Sequence, residues 1–426
     1  MRASLALVAA TLTGCALSAA PPTVETLSAA PPTVETLGGL TLVDQAARGA
    51  ACLDGSPPGY WMRRATVAAD AARWVIHAQG GGWCYDDALC AARAKGRIGS
   101  SASWGATTSC YGSCDGILSA NATSNPDFAG WNAVFLGYCD GTSFSGNRSG
   151  TSPGGLHYRG RANLDAVLDH MLALEGGGLG AATDVVFTGG SAGGLTVNLQ
   201  LDHVADRLAE ARAARAAAAP PSQPAPPALK LRGLADAGLF LDHAAYGANG
   251  SSVYTPQMQG LFALSEAVTV DACFAAYAPA ERWRCFFAQY AIPHLRTPLF
   301  IAEGMLDSWQ MGNVLKVGCH SGWAPGEPAS SCSAAQQAAM LQYGRDMNAT
   351  VAGVLAALPS AGAFHSACIV HCQTVFNEGQ DRWDAWRVGG LTPREVFGNW
   401  YFGRPGVTRA IDAAPYPGNP SCPVWT

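Results

Sequence analysis

Lysine is almost missing from this chain: Lys95, Lys230 and Lys316 are the only three among 26 basic residues. Charge of either sign is sparse, at 13% of 426 residues, and 26 Lys+Arg against 31 Asp+Glu leave a formal −5. A nucleic-acid binder carries a basic excess, which this balance excludes. The replacement of lysine by arginine reads as the imprint of a GC-rich coding sequence and carries no function. A mostly disordered chain would be polar and highly charged, and 49% hydrophobic residues exclude that too. Beyond the N-terminus no run reaches the roughly 18 apolar residues of a membrane span. The length would allow two or three domains, but single α/β domains reach this size by loop insertion.

Cysteine, by contrast, is plentiful, with 14 residues. Cys15 lies in an N-terminal segment with Arg2, an apolar run from Leu5 to Leu12 and the small residues Ser18-Ala19-Ala20. That is a signal-peptide pattern over residues 1–20; Leu12-Thr13-Gly14-Cys15 also fits a bacterial lipoprotein box. The other cysteines then read as an extracellular disulfide framework with one thiol over. Spacing suggests Cys84–Cys90, Cys110–Cys114, Cys273–Cys285 and Cys319–Cys332. Cys368-x-x-His371-Cys372 is a weak metal pattern, because a structural site needs a second ligand pair at suitable spacing. Sequons at Asn121, Asn147, Asn249 and Asn348 also fit a eukaryotic secretory route.

Residues 17–26 recur identically at 27–36, so 21–39 reads as a flexible, Pro-rich leader and 40–426 as the folded domain. An Ala-rich then Pro-rich run at 211–227 reads as an insertion between a helix and a strand. Continuous apolar runs predict buried strands at 74–78, 133–138, 184–188 and 298–302. Leu164, Val167, Leu168, Met171 and Leu172 fall at helical spacing within 161–174, and a second helix is expected over 192–209. Strands alternating with helices predict an α/β-hydrolase-like fold, with a mostly parallel sheet covered on both faces.

The sharpest motif is Thr188-Gly189-Gly190-Ser191-Ala192-Gly193-Gly194, a Gly-x-Ser-x-Gly between a strand and a helix. A tight turn there lifts the serine out of the sheet, and the helix start offers the Ala192 N–H to a developing oxyanion. Gly150-Thr151-Ser152-Pro153-Gly154 also matches the pattern, but no strand precedes it and Pro153 has no N–H. Gln79-Gly80-Gly81-Gly82-Trp83-Cys84 follows an early strand and resembles an esterase oxyanion loop, with Gly82 and Trp83 as donors. The acid should follow a late strand, and Asp307 does; Glu303 lies too near the strand body. Asp236 and Asp242 follow an earlier strand and are either structural or pocket-lining. His320, beside Cys319 in a Gly/Pro-rich stretch, reads as surface. That leaves His365 and His371 as the base.

QGGGWC at 79–84, GGSAGG at 189–194, ADAGLFLD at 235–242 and CIVHCQ at 368–373 together resemble the pectin acetylesterase/Notum family of carboxylesterases. CLDGSPPGY at 52–60 and Asn399-Trp400-Tyr401-Phe402 fit as well, and the C-terminal segment is closer to the plant-type enzymes. The resemblance implies a secreted, single-domain hydrolase that uses no metal or cofactor. Its triad falls on Ser191, Asp307 and His371, and its oxyanion donors on Gly82, Trp83 and Ala192. A bridge from Cys368 or Cys372 to Cys422 would anchor the loop of His371, whereas His365 reads as a surface or pocket-rim residue. The expected reaction is hydrolysis of an O-acetyl ester on an extracellular polysaccharide such as pectin, by a monomer. Trp83 and Tyr85 are the nearest candidates to stack on the sugar. Two other readings are a fatty-acyl esterase acting on protein or lipid, and a non-catalytic extracellular binding protein.

Overall fold

The computed structural model describes residues 34–46, 48–220, 227–319, 332–375, 382–416 and 418–422. The signal peptide, most of the repeat leader, the prolines at 221 and 226, and His320 lie outside the described residues.

Nine strands form one sheet in the order β1-β2-β4-β3-β5-β6-β7-β8-β9. They are β1 (Thr41–Leu42), β2 (Gly59–Arg63), β3 (Arg73–Ala78), β4 (Asn132–Leu136), β5 (Asp184–Gly190), β6 (Lys230–Asp236), β7 (Leu299–Asp307), β8 (Gly362–Val370) and β9 (Arg409–Ile411). The pairings from β4 through β9 are parallel, whereas β2 pairs antiparallel with both β1 and β4.

The central strands are apolar on both faces because both faces are covered. Alternate residues go to opposite cores. Trp74, Ile76, Val185, Phe187, Leu299 and Ile301 face one cluster, which takes in the helices Gly160–Leu172, Ala192–Ala218 and Ala334–Ala357. Val75, Val186, Phe300 and Ala302 face the other, with Val396, Phe397, Trp400 and Tyr401 of the helix Pro393–Phe402. That last helix starts on a capping box, Thr392 with Glu395, and has Pro393 in its first turn.

The four expected strands and both expected helices are present, with shifted ends. The helix after Ser191 runs to Ala218 rather than 209. Alanine is the strongest helix former, so the Ala-rich half of the insertion extends the helix until the residue before Pro220 turns extended. β2 and β8 were not visible as apolar runs; β8 is buried throughout yet carries His365 and Ser366 at its centre. No helix among the described residues is long and apolar enough to cross a membrane.

Candidate active site

The carboxyl ends of β5 to β8 bring four polar residues to one edge of the sheet, where α/β folds place their ligands. Ser191 follows β5, Asp236 ends β6, Asp307 ends β7 and His371 follows β8. Gly190 pairs with Asp236, and Asp307 with Val370.

Ser191 sits at the helix start with φ 60° and ψ −125°. A non-glycine residue at positive φ costs of order 1–3 kcal/mol, so its surroundings must hold it there. Glycines let them. A Cβ on Gly193 would lie 2.0 Å from the Ala78 carbonyl oxygen, and one on Gly80 would lie 2.3 Å from that of Gly190. The Ser191 N–H donates to the Asp236 carbonyl at 2.9 Å. Ser152, the decoy, lies in a turn outside every strand and helix.

Asp307 and His371 meet. The His371 Nδ1 to Asp307 Oδ2 distance is 2.6 Å, and their side chains are 3% and 0% exposed. The carboxylate acceptor fixes a proton on Nδ1, which in the neutral imidazole leaves the lone pair on Nε2. The second oxygen, Oδ1, accepts the Gln310 N–H at 2.8 Å. Gln310 in turn holds the loop after β6, through Leu241 N–H to its Oε1 and its Nε2 to the Leu239 carbonyl. Glu303 is indeed inside β7 and fully buried. Burial, and then the Asp307 charge, push its carboxyl well above the usual range. It accepts the Leu239 N–H at 3.0 Å.

His365 departs from expectation. It is 1% exposed, not a surface or rim residue. Its Nδ1 meets the Glu303 carbonyl at 3.0 Å and its Nε2 the side-chain amide of Asn348 at 2.6 Å. Burial lowers its pKa to about 4, so it is neutral at physiological pH.

The glycine loop folds against the elbow. Gly81 and Gly82 have φ 141° and 64°, backbone that favours glycine. The Gly80 N–H donates to the Tyr111 hydroxyl at 2.6 Å, and the Gly82 carbonyl accepts from the Tyr138 hydroxyl and the Arg93 guanidinium. Trp83 Nε1 donates to Ser143 Oγ at 2.7 Å, and Ser143 donates to the Ala192 carbonyl at 2.8 Å. One hydroxyl thus ties together the segments that carry Gly82, Trp83 and Ala192. Sequence reasoning missed Tyr111, Tyr138 and Ser143, because they come from loops far along the chain and belong to no motif.

Trp83 is not an exposed sugar platform. It is 1% exposed, and its ring lies edge-on to Phe240 at 4.8 Å and to Trp309 at 5.7 Å. Tyr254 completes the group, 6.2 Å from Trp83. Phe240 and Trp309 also flank the His371 ring, at 6.2 and 6.4 Å. Tyr85 is half-buried.

A family model described as Pectinacetylesterase matches residues 33–423. The chain belongs to the pectinacetylesterase family. The Arabidopsis thaliana protein named Pectin acetylesterase 5 is 32% identical over 88% of this chain and 82% of its own. Human palmitoleoyl-protein carboxylesterase NOTUM is 29% identical over 61% of this chain and 49% of its own. The Wnt deacylase Notum from Drosophila superposes with a TM-score of 0.74, at 25% identity, over 91% of this chain and all of that one. These names support an esterase of the pectin acetylesterase/Notum group, and the plant-type relatives match over more of the chain.

Six disulfides brace this pectinacetylesterase-family domain. The four suggested by spacing all form, together with Cys368–Cys422 and the unforeseen Cys52–Cys139. Cys84–Cys90 closes the loop after Trp83, and Cys368–Cys422 anchors β8 just before His371. Cys372 is a buried thiol. The Cys368 and Cys422 sulfurs are therefore not metal ligands. Among the described residues no group of three or more His, Cys, Asp or Glu is placed to hold a metal.

Proposed function

We propose that this protein is a secreted, monomeric serine esterase that removes O-acetyl groups from an extracellular polysaccharide such as pectin, without metal or cofactor. The observation that carries the reading is the buried His371–Asp307 bond at the sheet edge where Ser191 is held at positive φ. In the proposed cycle His371 Nε2 takes the Ser191 proton as Oγ attacks the acetyl carbonyl. Asp307 steadies the imidazolium. The backbone N–H groups of Gly82, Trp83 and Ala192 receive the oxyanion, where each donor is worth about 2.7–4 kcal/mol. His371 protonates the leaving sugar hydroxyl. Water then attacks the acetyl-enzyme, with His371 as base again, and acetate leaves.

The aromatic packing favours a short acyl group. Trp83, Phe240, Tyr254 and Trp309 are each at most 7% exposed and fill the space beside His371 with ring-to-ring contacts. A long acyl chain would have to displace them. Six disulfides support an oxidising compartment. Of the four sequon asparagines, Asn121, Asn147 and Asn249 are exposed, as glycan acceptors must be, whereas Asn348 is half-buried and its side chain is hydrogen-bonded to His365.

The test is acetate release from acetylated pectin and acetylated xylan, set beside hydrolysis of short and long p-nitrophenyl esters. Acetate from pectin and a preference for the acetyl ester are expected. A preference for long chains would replace this reading with the fatty-acyl one, and inactivity on every ester would leave a binding protein.

A further inference from the structure

β6 lies between the strand that carries the nucleophile and the strand that carries the acid. Its last residue, Asp236, is fully buried. Its main-chain carbonyl accepts the N–H of Ser191 at 2.9 Å. Its carboxylate reaches the other way, to the segment just past His371. Oδ1 and Oδ2 accept the Gln373 N–H at 2.9 and 2.8 Å, and Oδ2 accepts the Thr374 N–H at 2.7 Å and the Thr374 hydroxyl at 2.8 Å. One residue therefore holds the serine turn through its backbone and the base loop through its side chain.

The surroundings leave this residue little freedom. A Cβ on Gly194 would lie 2.4 Å from the Asp236 carbonyl oxygen, so the helix behind Ser191 packs directly on it. The next residue, Ala237, has φ 47°, and its N–H donates to the Ala302 carbonyl of β7 at 2.8 Å. The base loop, in contrast, has left its strand: β8 ends at Val370, and Gln373 and Thr374 belong to no helix or strand. Backbone N–H groups at buried loop positions need acceptors, and here both acceptor positions belong to Asp236.

We propose that Asp236 is a positioning residue for catalysis, which fixes His371 relative to Ser191 by tying residues 373 and 374 to the serine turn. The inference rests on the Ser191–His371–Asp307 reading above. Asp236 does not touch substrate; it acts through the loop it holds. Its charge also faces the imidazole. The charged and titratable groups around His371 among the described residues include Asp307 and Glu303 from β7, Asp236 from β6, the buried Cys372 thiol next in the chain, and Arg382, whose guanidinium donates to the His371 and Cys372 carbonyls. Burial, and then the Asp307 charge, push the Glu303 carboxyl up, toward its neutral form. Asp236 accepts from two N–H groups and a hydroxyl, an arrangement that suits the carboxylate form. Burial raises the Asp236 pKa, while its hydrogen bonds to residues 373 and 374 lower it. As a carboxylate Asp236 favours protonated His371, and removing that charge lowers the pKa of His371.

Asp236→Asn, Thr374→Val and Ser191→Ala should be made in the full-length chain and assayed with p-nitrophenyl acetate from pH 5 to 9. The asparagine replaces one acceptor oxygen with a donor that opposes the loop N–H groups. kcat should fall about 10- to 100-fold, the range expected when reacting groups are displaced by about 1 Å. KM should stay within about twofold, and the acid limb of kcat/KM should move to lower pH. Thr374→Val keeps the charge and both backbone bonds and loses only the hydroxyl. It should lower kcat about two- to tenfold, the worth of one hydrogen bond, with an unmoved pH limb. A purely structural Asp236 would change the melting temperature and leave kcat and the pH limb of the folded enzyme where they were; that result overturns the proposal. If Asp236→Asn does not fold, unchanged kcat in Thr374→Val overturns it instead. Near-parental activity in Ser191→Ala would sink the triad itself, whereas a Ser191→Ala reduced by orders of magnitude beside an unaffected Asp236→Asn sinks only this inference.

Discussion

The two halves of the site are held by different means. The serine half is local: one strand, one turn and one helix, with glycines admitting close backbone contact between residues 78–82 and 189–194. The histidine half is assembled from distance. His371 meets an acid 64 residues earlier, its loop is held by Asp236 137 residues earlier, and its strand is pinned by a disulfide to Cys422. A strained turn needs shape, which glycine supplies without side-chain partners. A general base needs orientation and a proton on the correct nitrogen, which only specific partners supply.

Breaking the serine half should therefore be total. Ser191→Ala removes the nucleophile and should lower kcat by about four to six orders of magnitude, as loss of a cooperating triad member does. Ser152→Ala, with the same five-residue pattern in a turn, should keep nearly full activity. Acetate release from purified variants of confirmed fold is the measurement; a fully active Ser191→Ala would remove the esterase assignment.

The histidine half separates two residues six apart in one segment. His371→Ala should cost kcat several orders of magnitude with a nearly normal melting temperature. His365→Ala should do the reverse. It empties a buried site and leaves the Asn348 amide and the Glu303 carbonyl without their partner, a stability loss of about 2–5 kcal/mol. Its folded fraction should turn over within a few-fold of the parent. Urea titration and kcat measured on the same samples distinguish the two, and the opposite ranking would make His365 the base.

This contrast also marks how far the sequence could be read. The strained serine turn and the glycine loop were legible because a few adjacent residues carry the whole constraint. The strands around them were legible as apolar runs covered on both faces. β8 was not, because His365 and Ser366 sit where an apolar run would continue; His365 is satisfied by the Glu303 carbonyl 62 residues earlier and Ser366 by Gln373 just past the strand. The same cause hid Gln310 and Ser143, and left Asp236 open between a structural and a pocket-lining role. Each is an ordinary polar residue until the fold supplies what it bonds. Asp307 and His371, which the structure brings within 2.6 Å of each other, were singled out from their order after Ser191 and from resemblance, not from local pattern. Local disulfides were visible in spacing, whereas Cys52–Cys139 closes across 87 residues and has no local signal.

Acid sharpens the comparison, because each half buries one neutral histidine that the proposed chemistry does not use. His77 in β3 lies behind the glycine loop, stacked on Phe135, and burial lowers its pKa to about 3. His365 in β8 is lowered to about 4. An unfolded histidine takes up a proton near pH 6.5. As pH falls below that value the unfolded state binds protons that the folded state refuses, so stability is lost. Each histidine should contribute about 1.4 kcal/mol per pH unit, from about 6.5 down to its own folded pKa. Glu303 acts in the opposite sense, since its raised pKa makes the folded state the tighter proton binder. The slope is therefore read as a difference, from urea unfolding at pH 7 and pH 5 in the parent and in His77→Gln and His365→Gln. Each variant should lose less stability than the parent over that interval; an equal loss would mean that the histidine is already protonated in the fold.

The smallest expected effect tests a side-chain tie between the glycine loop and the serine helix. Ser143 accepts from Trp83 Nε1 and donates to the Ala192 carbonyl, so it sets the spacing between two of the three proposed oxyanion donors. Ser143→Ala leaves both backbones in place and removes only this tie. Ser143 itself has φ 53°, which alanine tolerates no worse than serine, so the fold should survive. The indole N–H, buried against Phe240 and Trp309, would lose its acceptor at a cost of about 1–3 kcal/mol in stability. The catalytic effect should be a fall in kcat of about three- to tenfold, well short of the 10²–10³ expected when an oxyanion donor is removed outright. KM for an acetyl ester should hardly move, because the ground-state carbonyl does not depend on the donors as the oxyanion does. A loss as large as that of a missing donor would mean that the glycine loop is not held by its own bonds to Tyr111, Tyr138 and Arg93, and that the serine half is as dependent on distant partners as the histidine half.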